Sequence, residues 1–141
     1  ALVLYFADKQ KIEKNLTNDL TIKNVLIIGF FQVIAIIPGV SRAGITITAS
    51  RLLNFNRVDS SKIAFYLSIP ALSGASVLGI KDLFEENIKF DLVFIFATFL
   101  SFVFSYLTIK YFLIFVKKFS LKFFVYYRIL LALILFYIVY F

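Results

Sequence analysis

The feature that most constrains this chain is a set of long apolar runs, at 61–80, 92–109 and 123–141. A helix needs about 20 apolar residues to cross the hydrocarbon core of a bilayer, and each run comes close to that length. The whole chain is 62% hydrophobic and 16% charged, which is far more apolar than a typical soluble domain. We therefore predict an all-α integral membrane protein in which these runs are transmembrane helices.

The sequence also indicates where a shorter helix lies and which residues cap the helices that follow. Residues 1–7 are apolar but too short to span a membrane, and the chain begins with Ala rather than Met. We therefore interpret them as the severed end of a helix in a longer protein. Thr21 is the expected N-cap of the next helix, and Asp59 or Ser60 is expected to cap the helix at 61–80.

The stretch at 24–55 is predicted to form a helical hairpin. Its first part, 24–37, is an apolar run of 14 residues that ends at Pro38. A run of about 10 to 14 residues suits a re-entrant segment better than a full span. Pro38 and Gly39 interrupt the helix, and a second short helix is expected at 44–55. The two half-helices are therefore predicted to enter the membrane and return on the same side.

The charges between the apolar runs support this hairpin. If it returns to its own side, the basic segments all share one side of the membrane and the acidic loop at 81–91 lies opposite. The excess of Lys and Arg on cytoplasmic loops then places the hairpin mouth in the cytoplasm and the C-terminus outside. The basic segments are 9–23, 51–62, which contains Arg51, Arg57 and Lys62, and 110–122, which we interpret as a connector; Arg128 is assigned to the membrane interface.

The stretch at 37–48 places a cation and several hydroxyls between apolar runs. Arg42 would be costly in lipid, so it is expected to face a protein interior or a water-filled cavity. A helix that opens after Ser41 leaves its first backbone amides without intrahelical acceptors. Such amides, together with the planar donor fork of an arginine, suit phosphate oxygens. The pattern therefore predicts an anion site at the tip of the hairpin.

Two hydroxyl residues near Arg42 each have two interpretations. Thr46 lies four residues after Arg42, so both side chains can meet one ligand, but the Thr46 hydroxyl can instead donate to a backbone carbonyl one turn earlier. Ser41 can cap the helix, and capping is compatible with phosphate binding. Paired half-helices also serve transporters. The residues by themselves leave a phosphatase and an anion or prenyl-lipid transporter or flippase open.

The residue types that are missing narrow the chemistry. The chain contains no Cys and no His, which excludes disulfides, thiolate metal sites and a histidine base within it. No Asp or Glu occurs from Leu20 to Val58, so no metal site is predicted in this chain. The chain has a net charge of +7, and its basic residues lie between hydrophobic runs. This distribution suits contact with anionic lipid headgroups rather than with nucleic acid.

The residues of the hairpin tip also carry a resemblance. The segment from Pro38 to Thr46, PGVSRAGIT, resembles the PGxSRSxxT motif of the bacterial undecaprenyl-diphosphate phosphatase family, the bacitracin-resistance membrane phosphatases. The flanking segments 28–37 and 65–71 are also similar to that family's pattern, whereas Ala43 stands where the family has a second Ser. The similarity is to the second half of the sequence of that family's members. We therefore interpret the whole chain as the C-terminal half of one phosphatase domain.

The resemblance implies hydrolysis of undecaprenyl diphosphate to undecaprenyl phosphate and inorganic phosphate. This reaction recycles the lipid carrier for peptidoglycan synthesis and gives bacitracin resistance, and the half by itself is expected to be inactive. The resemblance assigns catalytic roles to Arg42, Ser41 and Thr46, and substrate binding to Pro38, Gly39 and Gly44.

The resemblance also implies parts that this chain does not supply. In the family, a Glu-rich motif and a His in the N-terminal half complete the site, so a divalent cation, Mg or Ca, is expected to find its ligands there. The two halves are related as inverted repeats. The implied partners are a polyprenyl diphosphate lipid, the membrane and the N-terminal half, and a homo-oligomer is left open. The implied location is the bacterial cytoplasmic, or inner, membrane, with a chamber open to the outside.

Overall fold

The computed structural model describes residues 2–10, 12–85 and 92–140, and within these ranges the chain forms helices and no strand. The prediction of an all-α protein is therefore confirmed for this part of the chain. The elements in order are α1 (Leu2–Ala7), α2 (Leu16–Asp19), α3 (Ile22–Val33), a 3-10 turn (Ile34–Ile36), α4 (Arg42–Leu52), α5 (Arg57–Glu85), α6 (Leu92–Lys118) and α7 (Lys122–Tyr140).

Helices α5, α6 and α7 are the elements of the described chain that can cross a membrane. Each is long and apolar enough, with mean hydropathies of 1.7, 2.2 and 2.1. Most large apolar side chains of α6 and α7 are exposed, as expected for surfaces that contact lipid tails or another membrane segment. The chain is thus a multi-pass membrane protein.

The structure corrects the beginning of the first predicted span. Helix α5 begins at Arg57 rather than at residue 61, because Asn56 caps it in place of Asp59 or Ser60. The Asn56 Oδ1 atom accepts a hydrogen bond from the Asp59 amide at 2.8 Å, and the Ser60 amide donates to the Asn56 carbonyl at 2.9 Å. At its other end α5 continues to Glu85. The remainder of the predicted acidic loop, 86–91, lies outside the described residues.

The structure also corrects the basic connector that was predicted at 110–122. Helix α6 continues through Lys110 to Lys118, and the connection to α7 comprises only 119–121. Lysine is a good helix former and the six residues after Lys110 are apolar, so a single charge does not end the helix. The last predicted span, 123–141, agrees with α7 apart from Phe141, which lies outside the described residues.

Helices α3 and α4 form the predicted helical hairpin. Thr21 caps α3 as predicted, since its Oγ1 accepts from the Asn24 amide at 3.3 Å. The chain reverses at Gly39, whose φ of +87° lies in the left-handed region that glycine adopts without steric cost. Ile28 and Ala49, which lie at similar distances before and after Gly39, belong to one buried cluster, so the two helices fold back on each other. The re-entrant position of this hairpin in a membrane stays a prediction.

Helix α4 lies at the centre of the described structure. It packs against α1, α3 and α5, and its residues 46–51 are all buried. Two clusters of buried side chains flank it: one contains Ile28, Ala49, Phe55 and Ile63, and the other contains Ile47, Ala64, Val116 and Leu121. Because α4 is held on several sides, its N-terminus has a fixed position relative to α1, α5 and the α6–α7 connection.

Candidate functional site

The N-terminus of α4 has the features of an anion site. Ser41 has an extended backbone, and its Oγ accepts from the Gly44 amide at 3.1 Å, so Ser41 caps the helix. The Ile45 amide donates to the Ser41 carbonyl at 2.9 Å. Among the described residues, the amides of Arg42 and Ala43 have no acceptor. These N–H groups lie at the positive end of the helix dipole and are open to an anion.

Arg42 is the first residue of α4, and its side chain is exposed. Within the described ranges its guanidinium has neither a hydrogen-bond acceptor nor a carboxylate partner. An arginine presents a planar fork of donors that can bind two phosphate oxygens at once. The structure thus leaves these donors open at the hairpin tip, and the role of Arg42 toward a phosphate stays a prediction.

Thr46 is placed differently from Arg42. Its side chain is 1% exposed, and its hydroxyl shares its proton between the carbonyls of Arg42 and Ala43, at 2.9 and 3.0 Å. This is the backbone-bonded alternative that the sequence left open. Because Arg42 is exposed and Thr46 is buried, the two side chains do not share one surface. The catalytic role of Thr46 stays a prediction, and this geometry does not support it.

A cavity of about 340 Å³ lies beside the hairpin tip. Its apolar walls come from α1, the 3-10 turn, α6, the α6–α7 connection and α7, through Val3, Leu4, Ile34, Phe112, Leu121, Phe124 and Val125. Of the predicted site residues it brings together Gly39, Ser41 and Gly44, whereas Pro38, Arg42 and Thr46 are not in its lining. The cavity therefore combines polar groups suited to an anion with walls suited to hydrocarbon.

Arg128 of α7 is a candidate site residue that the sequence prediction missed. The prediction assigned it to the membrane interface, but its side chain lines the cavity. Its Nη1 lies 3.6 Å from the position that a Cβ would take on Gly44. The same Cβ would lie 3.2 Å from the Ser41 Cβ, so the absence of a side chain at Gly44 permits both approaches. An arginine flanked by apolar residues is a functional signal in its own right, and that signal could have identified Arg128.

The other end of α4 holds a buried network of charges. Arg51, which was predicted to lie in a basic segment on the cytoplasmic side, is 1% exposed. Its guanidinium donates to the carbonyls of Phe55, Asp8 and Gln10 at 2.6, 3.0 and 3.1 Å. Its Nε lies 3.6 Å from the Asp8 carboxylate. Arg51 is therefore a structural residue rather than a surface charge, because the segment after α1 folds over it and supplies the acceptors.

Asp8 is the centre of this network. Arg57 binds its carboxylate with two nitrogens, at 2.6 and 2.9 Å, and the Ser120 hydroxyl donates to it at 2.6 Å. These residues lie at the ends of α1, α5 and α6, so the three segments meet at the hairpin mouth. Burial lowers the pKa of Arg51 below its ordinary value, the Asp8 carboxylate raises it and Arg57 lowers it. Arginine stays charged at neutral pH in spite of such shifts.

The described residues do not fit a divalent metal ion. Within 2–10, 12–85 and 92–140, no group of three or more His, Cys, Asp and Glu side chains could hold one. Asp8 is engaged by Arg51, Arg57 and Ser120 at the end of α4 opposite the motif. Mg²⁺ and Ca²⁺ each require several oxygen ligands, so the carboxylates of the described residues do not provide a site for either ion.

The chain is similar to known proteins over nearly all of its length. A model of the family described as bacitracin resistance protein BacA matches residues 1–134. A protein of Pelagibacter ubique named undecaprenyl-diphosphatase is 52% identical over 139 residues, which cover 99% of this chain and 54% of that protein. Proteins of the same name from Elusimicrobium minutum and Saccharophagus degradans are 43% and 40% identical, over 96% and 99% of this chain and 51% and 53% of their own. The chain thus spans about half the length of the curated relatives it matches.

Proposed function

Because the chain belongs to the bacitracin resistance protein BacA family, we propose that it provides the phosphate-binding part of an undecaprenyl-diphosphatase. In this reaction the bond between the terminal phosphorus and the bridging oxygen of undecaprenyl diphosphate breaks, and a bond from that phosphorus to a water oxygen forms. The products are undecaprenyl phosphate and inorganic phosphate. The names of the relatives support this activity. Consumption of the diphosphate lipid also removes the molecule that bacitracin binds, and it returns the carrier lipid to peptidoglycan synthesis.

The observation that carries the proposal is the open N-terminus of α4 beside a cavity with apolar walls. The free amides of Arg42 and Ala43 and the Arg42 guanidinium are donors for phosphoryl oxygens, and they would stabilise the charge that develops as the anhydride breaks. Ser41 fixes the first turn of α4 and lines the cavity. The apolar walls would hold the first prenyl units of a polyprenyl diphosphate lipid. No described residue is assigned as the nucleophile.

The remaining parts of the catalytic site are proposed to come from another segment. A bound Mg or Ca ion would polarise the phosphoryl oxygens, and its ligands would lie in the part of the relatives beyond the matched region, which we take to be the N-terminal half. That half would pack as an inverted repeat against the hairpin. The described residues form no such ligand set, so no step of the reaction is assigned to them through a metal.

We propose that the protein lies in the bacterial inner membrane with the hairpin mouth in the cytoplasm and the C-terminus outside. The ion pair between Asp8 and Arg57 supports this arrangement, because these residues precede and follow the hairpin and yet meet. Ser120 joins them from the α6–α7 connection, next to Lys117 and Lys118. Basic residues from distant parts of the sequence thus lie at the same end of the described structure, as expected for a cytoplasmic face.

The test is phosphate release from undecaprenyl diphosphate by the full-length gene product in proteoliposomes. We expect release of one phosphate per lipid, and a loss of about a hundred- to a thousandfold in Arg42→Ala. Lys81→Ala, which removes an exposed cation that pairs with Glu85 at 3.5 Å, should keep the wild-type rate. Binding of the lipid without phosphate release would contradict the proposal and favour an anion or prenyl-lipid transporter.

A further inference from the structure

Arg128 is a cation within a membrane-spanning helix. Helix α7 begins at Lys122, so Arg128 lies about 9 Å along the helix axis from its first residue. The residues that follow it, 129–134, are all apolar. Among the described residues, its guanidinium has no hydrogen-bond acceptor and no carboxylate partner. A charge in this position is costly unless water or a ligand pairs with it.

The Arg128 side chain reaches the hairpin tip. Its Nη1 approaches to 3.6 Å from the Cβ position of Gly44, and it shares the cavity lining with Ser41. A side chain at Gly44 would contact both residues, so this glycine keeps the approach open. An arginine that merely anchors a helix at the interface extends toward lipid headgroups. Its approach to the Cβ position of Gly44 and its place in the cavity lining instead set the exposed Arg128 side chain at the edge of the cavity.

Arg128 and Arg42 differ in their relation to the cavity. Arg128 shares the lining with Leu4, Phe112 and Phe124, which are the walls suited to hydrocarbon, whereas Arg42 is not part of that lining. In a prenyl diphosphate only one of the two phosphates is bonded to the apolar chain. A phosphate held against these apolar walls would therefore be the prenyl-linked one.

We propose that Arg128 is a substrate-binding residue that holds the prenyl-linked phosphate, the phosphate that the product retains. This inference rests on the proposed function. Arg42, which lies at the start of α4 outside the cavity lining, is then left to the terminal phosphate, which is released. Loss of Arg128 should accordingly weaken the binding of both lipid substrate and lipid product and leave the binding of inorganic phosphate unchanged.

The experiment compares Arg128→Ala with wild type in the full-length gene product. We expect KM for undecaprenyl diphosphate to rise about ten- to a hundredfold, as for a lost charge-assisted hydrogen bond, with kcat within about threefold. Inhibition by farnesyl phosphate, a short prenyl monophosphate, should weaken by a similar factor, and inhibition by inorganic phosphate should not change. Lys122→Ala is the matched control, since its ammonium lies over the Tyr5 ring at 5.3 Å and outside the cavity lining.

An unchanged KM in Arg128→Ala would overturn the assignment, and so would weaker inhibition by inorganic phosphate with unchanged inhibition by farnesyl phosphate. If Arg128→Ala does not fold, Arg128→Gln gives the same comparison with a side chain of similar volume. If the wild-type protein releases no phosphate, the proposed function fails. Calorimetric titration of farnesyl phosphate into wild type and Arg128→Gln then still tests the role of Arg128, and equal affinities would overturn it.

Discussion

The two ends of α4 use arginine in opposite ways. At the hairpin mouth Arg51 is buried, donates to three carbonyls and lies 3.6 Å from the Asp8 carboxylate. At the hairpin tip Arg42 is exposed and has no acceptor among the described residues. The guanidinium that is already bonded stabilises the fold, whereas the one with open donors can bind a ligand. The comparison shows that two arginines of one helix differ in whether described residues occupy their donors, and of these two only Arg42 has donors open to a ligand.

The same division extends to the neighbouring helices. Arg57 of α5 binds Asp8 with two nitrogens at the mouth, and Ser120 adds a hydrogen bond from the far side. Arg128 of α7 lies at the tip, in the cavity and without a described acceptor. Substitutions of the arginines at the mouth should therefore change stability with little effect on substrate binding, and substitutions of Arg42 and Arg128 at the tip should do the reverse.

The largest expected effect is a loss of stability in Arg51→Met. The carbonyls of Asp8, Gln10 and Phe55 would lose their donor, and we expect the free energy of unfolding in detergent to fall by about 3 to 5 kcal/mol. Denaturant titration followed by circular dichroism measures this change. Lys81→Met, which removes an exposed cation, should unfold like wild type. Wild-type stability in Arg51→Met would contradict the structural role of the arginine at the mouth end of α4.

Arg42→Lys is expected to give the converse result. Lysine keeps the charge but not the planar fork of donors, so we expect kcat for phosphate release to fall about ten- to a hundredfold. Stability should not change, because Arg42 has no described partner to lose. Steady-state kinetics and thermal unfolding of one preparation measure both quantities. Full activity combined with a lower melting temperature would place Arg42 among the structural residues.

Gly39→Ala separates backbone geometry at the tip from side-chain contact. Its φ of +87° costs an L-residue about 1 to 2 kcal/mol, and a Cβ there would meet nothing within 4 Å. We expect unfolding titrations to show a loss of that size. Gly29→Ala is the matched control, because its Cβ position is equally open but lies within α3, where alanine is favoured by about 1 kcal/mol. Equal effects at the two glycines would show that the turn at Gly39 is not required.

Ser41→Ala should give the smallest effect, and it should change both the stability and the KM. Loss of the cap to the Gly44 amide is expected to cost about 1 kcal/mol of stability, and a less ordered first turn should raise KM severalfold. Ser68→Ala removes a hydroxyl whose hydrogen bond among the described residues goes to the Phe65 carbonyl, and it should stay within about 0.5 kcal/mol of wild type. Unchanged stability in Ser41→Ala would contradict the capping role.

Features with short-range causes could be predicted from the sequence. The lengths of the apolar runs indicated an all-α membrane protein, and Pro38-Gly39 indicated the reversal that occurs at Gly39. The capping preferences of threonine and serine identified Thr21 and allowed a cap at Ser41. The position of Arg42 did not follow in the same way, because it was expected to face a protein interior or a water-filled cavity, whereas it is exposed at the start of α4 and lies outside the cavity lining.

Features that depend on contacts between distant segments could not be predicted in this way. The hydrogen bond from Ser120 to Asp8 joins residues 112 positions apart, and nothing near either residue indicates the other. Arg128 was assigned to the interface because its approach to the Cβ position of Gly44 is between α7 and α4, and no local pattern in α7 indicates that approach. The end of α6 was misplaced for a different reason, since Lys110 looks like a loop charge but sits within a continuous helix.

The most direct test of the division between mouth and tip is a thermal unfolding series with inorganic pyrophosphate. The full-length gene product is compared as wild type, Arg42→Ala and Arg57→Ala, each with and without the anion. A ligand that binds the folded state raises the melting temperature. We predict that Arg42→Ala melts like free wild type and gains much less from pyrophosphate than wild type does, whereas Arg57→Ala melts earlier and keeps the full gain. A lost gain in Arg57→Ala together with a retained one in Arg42→Ala would contradict the account.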